Sequence, residues 1–137
     1  MRPVFESYVA SHGLEDRLCF EAGDFFRDEL PSADVLALGR VLHNWDLPTK
    51  RMLLAKAYAA LPPGGAIIVF ERMIDDERRR NATGLLASLN MLLSTPGGFD
   101  ATCADIALWL KEAGFDIDRV ESLPLDHSMV VGVKPRR

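Results

Sequence analysis

Basic residues are in short supply: 16 lysines and arginines stand against 20 acids, a net charge of −4. No basic stripe interrupts that balance, so nucleic acid is not an expected partner. Cysteine is scarcer still. Cys19 and Cys103 are far apart and carry no ligand spacing around them, which excludes a disulfide framework and makes a reduced, cytoplasmic setting the expectation. The three histidines, His12, His43 and His127, are too scattered to suggest a zinc or iron site, so no metal is expected. No apolar run approaches the roughly 20 residues of a membrane span, and the start Met1-Arg-Pro-Val-Phe-Glu6 has no apolar core of a signal peptide. Repeats, low-complexity tracts and linkers are all missing. What remains is a chain of 137 residues, 48% hydrophobic and 26% charged, long enough to bury one core and short enough to be one domain, 1–137.

Helix-like and strand-like stretches alternate, which points to an α/β fold. Pro3–His12 reads as a helix stopped by Gly13. Leu18–Ala22 reads as a short strand, as does Asp34–Leu38 before Gly39. A stronger helix is expected from Pro48 to Ala60, capped near Asp46 or Leu47, with Leu47, Leu54, Tyr58 and Leu61 on one face. Pro62-Pro-Gly-Gly65 ends it as plain turn chemistry. The uninterrupted apolar run Ala66–Phe70 predicts a central strand covered on both faces. Asp75–Arg80 reads as a charged, solvated connection. Ala82–Leu93 is a leucine-rich helix closed by Thr95-Pro-Gly-Gly98, and Met91 and Leu92 on it serve either core or pocket. Thr102 opens a further helix with Ile106, Trp109, Leu110 and Ala113 at helical spacing. Phe115–Glu121 and Met129–Val133 read as strands joined by Pro124-Leu-Asp-His127, a connection short enough to make them antiparallel.

One residue carries the chemical reading. His43 directly follows the strand-like run, where open α/β sheets collect their chemistry, and histidine is the side chain that takes a proton near neutrality. Glu71 ends the next apolar run. Two adjacent strands ending in a base and a carboxylate would form a proton-abstraction pair, the plain alternative being a hydrogen-bonded strand-end histidine.

Several blocks together resemble a family. Gly23-Asp-Phe-Phe26, Arg40-Val-Leu-His-Asn-Trp45, Ala60-Leu-Pro-Pro-Gly-Gly65 with Glu71, Leu89-Asn-Met-Leu92, Pro96-Gly-Gly98 and Ala113-Gly-Phe115 occur in the order and spacing of S-adenosylmethionine-dependent O-methyltransferases of the caffeic-acid and hydroxyneurosporene type. The resemblance spans nearly the whole chain. It implies a partial Rossmann-like methyltransferase sheet with flanking helices, a C-terminal antiparallel strand pair, the cofactor S-adenosyl-L-methionine and a small aromatic or polyketide-like hydroxyl as acceptor. It also implies roles. His43 matches the general base and Glu71 a carboxylate flanking it. Asp100 falls where a second such glutamate is usual, one methylene shorter. Asp24 and Phe25 match positions that contact the cofactor's adenine. Gly39 stands near the cofactor where plant members carry a lysine, and Met91 and Thr95 match substrate-pocket positions.

The departures are as informative. The sequence contains no G-x-G-x-x-G loop for the cofactor's amino-acid end, and no acidic residue precedes Pro3. The resemblance therefore implies a catalytic portion lacking the helical dimerisation domain and the first two strands. In the family's sheet those strands lie between the segments 18–22 and 35–38. The strand at 18–22 is thus expected either to re-pair with 35–38 or to leave an edge covered by another copy of the chain or a partner subunit. Two readings stay open: an O-methyltransferase portion whose cofactor site is completed elsewhere, and a non-catalytic remnant or interaction subunit that keeps the fold.

Overall fold

The two strands expected at 34–38 and 66–70 meet edge to edge in the computed structural model, which describes residues 1–136. In chain order the elements are α1 (Arg2–Ser11), β1 (Val35–Gly39), a 3-10 turn (Leu42–Asn44), α2 (Leu47–Ala60), β2 (Ala66–Glu71), α3 (Ala82–Ser94), α4 (Cys103–Glu112), β3 (Asp116–Leu123) and β4 (His127–Val133). The sheet runs β1-β2-β4-β3. β1 pairs with β2 in parallel, Leu36 opposite Ile67 and Leu38 opposite Val69. β4 is antiparallel to both β2 and β3. This is an α/β fold with a partial, mixed sheet, as the sequence implied.

One face of the sheet carries the core. Ile67, Val69 and Val130 pack with Leu53, Leu54 and Ala57 of α2 and with Ile106, Trp109 and Leu110 of α4. α4 owes its start to a reciprocal cap: the Thr102 hydroxyl accepts from Asp105 N (3.0 Å) while the Asp105 carboxylate accepts from Thr102 N (3.1 Å), satisfying two donors a helix start otherwise leaves orphaned. The other face is less covered than expected. Val35 is 52% exposed and Phe70 36%, so β2 is buried on alternate residues rather than throughout.

Leu18–Ala22 is not a strand. Phe20 leans on Phe5 of α1 (centroids 5.6 Å apart), and the rest of 18–22 is exposed. A strand needs a ladder partner for its backbone groups, and β1 pairs only with β2 among the described residues. The expected re-pairing of 18–22 with 35–38 therefore does not occur. Two smaller differences have the same kind of cause, in what the backbone groups find to bind. β4 begins at His127, so the hairpin turn is Pro124–Asp126, with Leu125 and Asp126 both left-handed (φ 61° and 58°), as a tight turn between twisted strands requires. The connection 75–80 is ordered by its own acid. Asp75 accepts from the backbone N–H groups of Arg79, Arg80 and Asn81, which hold its carboxyl down to about 2.

The segment just beyond β2 positions the site. Ile74 bridges to Thr102 in parallel, and Ile74 N donates to Ala101 O at 3.0 Å. That short pairing draws Asp100 alongside the end of β2.

Candidate active site

β1 ends at Gly39, and Arg40 adopts a left-handed φ of 56° that turns the chain off the sheet. Arg40 N still donates to Phe70 O (3.1 Å), so the turn starts from a fixed point. The 3-10 turn at Leu42–Asn44 carries His43, and the end of β2 holds it. Glu71 Oε1 accepts from Leu42 N at 2.8 Å and from His43 N at 3.3 Å. Glu71 thus grips the backbone beneath His43, whereas the family resemblance implies a carboxylate flanking the imidazole. Burial pushes the Glu71 carboxyl above its usual range, against the opposing pull of His43 and of the two N–H groups.

Asp100 is the acid at the ring. His43 Nδ1 lies 3.5 Å from Asp100 Oδ1, a close polar contact rather than a short hydrogen bond. Asp100 is 2% exposed, and its second oxygen, Oδ2, is buried without a hydrogen-bond partner. Its backbone N donates to Ser88 Oγ (3.1 Å), tying it to α3. His43, Glu71 and Asp100 present ligand-type atoms within 4.8 Å of one another. Each could offer one to a cation, although Glu71 Oε1 is already engaged by two backbone donors.

Three side chains of this neighbourhood are given no role by the sequence patterns above. Lys50 is completely buried. Its ammonium donates to Phe99 O (2.7 Å) and sits 3.0 Å from the Phe99 ring centroid. Burial lowers its pKa to about 8, while Glu71 and Asp100 act to hold it up. The sequence does contain a signal, since Lys50 shares the buried stripe of α2 with Leu53, Leu54 and Ala57. Arg72 and Asn90 join Arg40, His43, Met91 and Asp100 around a cavity of about 160 Å³.

The remaining predicted residues separate into two groups. Met91 lines that cavity, whereas Leu92 points outward at 59% exposure. Thr95 does not line it: its hydroxyl donates to Met91 O (2.8 Å) and accepts from Gly98 N (2.9 Å), which is turn chemistry at the end of α3. Asp24 and Phe25 lie on a different hollow of about 350 Å³ formed within residues 21–31. Asp24 Oδ1 accepts from Phe26 N (3.0 Å). Phe25 packs edge-on against Trp45 (5.8 Å), two residues beyond His43. Lys56 of α2 pins this segment by donating to the carbonyl oxygens of Phe25 and Asp28. Gly39 is enclosed by the Phe70 ring, whose Cε atoms would lie 2.6 and 2.8 Å from any Cβ there. A side chain at 39 therefore could not enter without moving Phe70.

Residues 5–116 match the O-methyltransferase domain family. The chain is 43% identical over 136 residues to the tetracenomycin polyketide synthesis 8-O-methyl transferase of Streptomyces glaucescens, covering 99% of this chain and 40% of that protein. It is 36% identical over 129 residues to the 3-hydroxy-5-methyl-1-naphthoate 3-O-methyltransferase of Streptomyces sahachiroi, covering 92% and 37%. Among solved structures, human N-acetylserotonin methyltransferase in complex with S-adenosylmethionine superposes with a TM-score of 0.78 at 34% identity, over 88% of this chain and 36% of that one. The chain thus spans about 40% of the length of the curated relatives it matches.

Proposed function

The chain belongs to the O-methyltransferase domain family, and from that premise we propose that it forms the base-bearing portion of a cytoplasmic S-adenosyl-L-methionine-dependent O-methyltransferase acting on a hydroxyl of a small aromatic or polyketide-like molecule. The observation that carries the reading is the His43 imidazole, 3.5 Å from the buried Asp100, in the cavity that Met91 also lines. A phenol of pKa about 10 is a poor nucleophile until its proton leaves, and a neutral imidazole can accept it. Asp100 facing Nδ1 leaves Nε2 for the acceptor and steadies the positive charge that develops on the ring. Glu71 keeps the turn beneath His43 from shifting. Much of the rate then comes from holding the acceptor oxygen in line, worth up to roughly 7–11 kcal/mol.

When bound, S-adenosyl-L-methionine supplies a methyl group activated by its sulfonium. The adenine end fits what the chain offers: Asp24 can accept from an exocyclic amine, and Phe25, braced by Trp45, offers a ring face beside a hollow of small-molecule size. A second reading has the fold persist without catalysis. Isothermal titration with S-adenosylhomocysteine separates the two. Micromolar binding is expected for the enzymatic reading, and the absence of heat at millimolar ligand would reject it.

Association with a second copy or a partner subunit belongs to the same proposal. The outer edge of β1 has no strand beside it among the described residues, and Leu86, Leu89, Leu92 and Leu93 of α3 are 52–79% exposed. Unprotected edges and apolar faces of this kind favour association. Light scattering is expected to give a mass above 15.2 kDa, and a clean monomer with a well-dispersed NMR spectrum would count against it.

A further inference from the structure

We propose that the cavity beside His43 is built for an acceptor bearing an anionic group, most simply a carboxylate, together with its hydroxyl, and that Arg72 is the residue that selects it. The inference rests on the reading of this cavity as the acceptor site, and it adds a substrate class to that reading.

Six arginines of the chain, Arg2, Arg27, Arg51, Arg78, Arg80 and Arg119, have a carboxylate within 4.0 Å. Arg72 has none among the described residues, yet it is half-buried and its Nε is buried without any hydrogen-bond partner. Buried guanidinium groups are ordinarily paired, because an unmet charged donor away from water is costly. The second buried side-chain atom in the same condition is Asp100 Oδ2. Both residues line one cavity, and they do not form an ion pair with each other.

A ligand can serve this cavity if it brings a donor to the His43 side and an acceptor to Arg72. The acceptor hydroxyl gives its one proton to His43 Nε2, on the side where Asp100 lies. A carboxylate directed at Arg72 supplies the acceptor, and its two oxygens match the planar fork of a guanidinium. Arg72 immediately follows Glu71 at the end of β2, so the anion site and the base site are set by the same strand. Arg40 adds an exposed second cation at the rim, and Asn90 a neutral amide. Behind them the Lys50 ammonium offsets Glu71 and Asp100, which limits the repulsion that two acids would exert on an anionic ligand. The cavity, about 160 Å³, is below the usual size of a whole ligand pocket, so it seats the reacting ring with its substituents.

The test compares 3-hydroxy-1-naphthoate with 2-naphthol, which differ only in the carboxylate. Each is titrated into the full chain and followed by calorimetry and by the NMR signals of the Met91 methyl and the His43 ring. The naphthoate is expected to bind about ten-fold more tightly, the scale of one charge-assisted contact, and to shift both signals. Arg72→Gln should erase that advantage, so that the two ligands bind the variant with similar affinity. Arg40→Gln, at the exposed rim, should reduce it partially and guards against misfolding of the first variant. Equal affinities with shifts at Met91 and His43 would overturn the anion site and leave the acceptor site standing. A naphthoate preference that survives Arg72→Gln would overturn the role of Arg72. If neither ligand perturbs Met91 or His43, the inference and the reading beneath it fall together.

Discussion

Replacing His43 by glutamine is expected to cut methyl-transfer turnover about 10²–10⁴-fold, the usual range for loss of a general base. Glutamine retains the backbone N–H that Glu71 Oε1 accepts at 3.3 Å, so the 3-10 turn keeps its anchor and the fold should survive. What disappears is the imidazole beside Asp100, the side chain proposed to take the phenolic proton near neutrality. The loss corresponds to about 2.7–5.5 kcal/mol of activation free energy. It should appear in kcat, with KM and S-adenosylhomocysteine affinity nearly unchanged, because proton removal belongs to the transition state. Steady-state kinetics on wild type and variant, with a denaturation curve for each, decide the matter. Turnover that stays at the wild-type level removes His43 from the mechanism.

That prediction was within reach of the sequence only in part. Periodicity made α2 and α4 legible, because long segments with one apolar face have few alternatives, and an uninterrupted apolar run marked β2. The same local logic misreads Leu18–Ala22, whose residues suit a strand but meet no neighbour to pair with. A strand is a property of two segments, and only one is visible in a window of sequence. The site shows the same division. His43 and Glu71 could be placed at strand ends, yet the turn carrying His43 is fixed by a carboxylate 29 positions away, which no local pattern encodes. Asp100 is reached through family resemblance, and its position depends on the bridge between Ile74 and Thr102. Arg72 passes as an ordinary surface charge in the sequence, and Lys50 is marked only by its place on the apolar stripe of α2. What distinguishes them is the partner each lacks or finds once the chain is folded.

Lys50 gives the second large effect, read in stability. Its pKa falls from 10.5 to about 8 in the folded chain, chiefly because burial disfavours the ammonium. Between those values the unfolded chain holds the proton and the folded chain has released it. Stability therefore rises with pH across that window, since it climbs wherever the unfolded state binds more protons. From pH 7 to pH 10 this group alone should add about 2–3 kcal/mol. Other groups titrate over the same range, so the wild-type change has to be compared with that of Lys50→Met, which keeps the length of the side chain and removes the charge. The gain should be smaller in the variant by about that amount in urea unfolding at the two pH values. The Lys50 Cε chemical shift offers a check on the wild type alone, with a midpoint expected near 8; a midpoint near 10.5 would show that burial does not disfavour the charge. The direction also bears on the site. Below pH 8 the ammonium opposes the charge of Glu71 and Asp100, and above it two buried acids stand beside His43 without that counterweight.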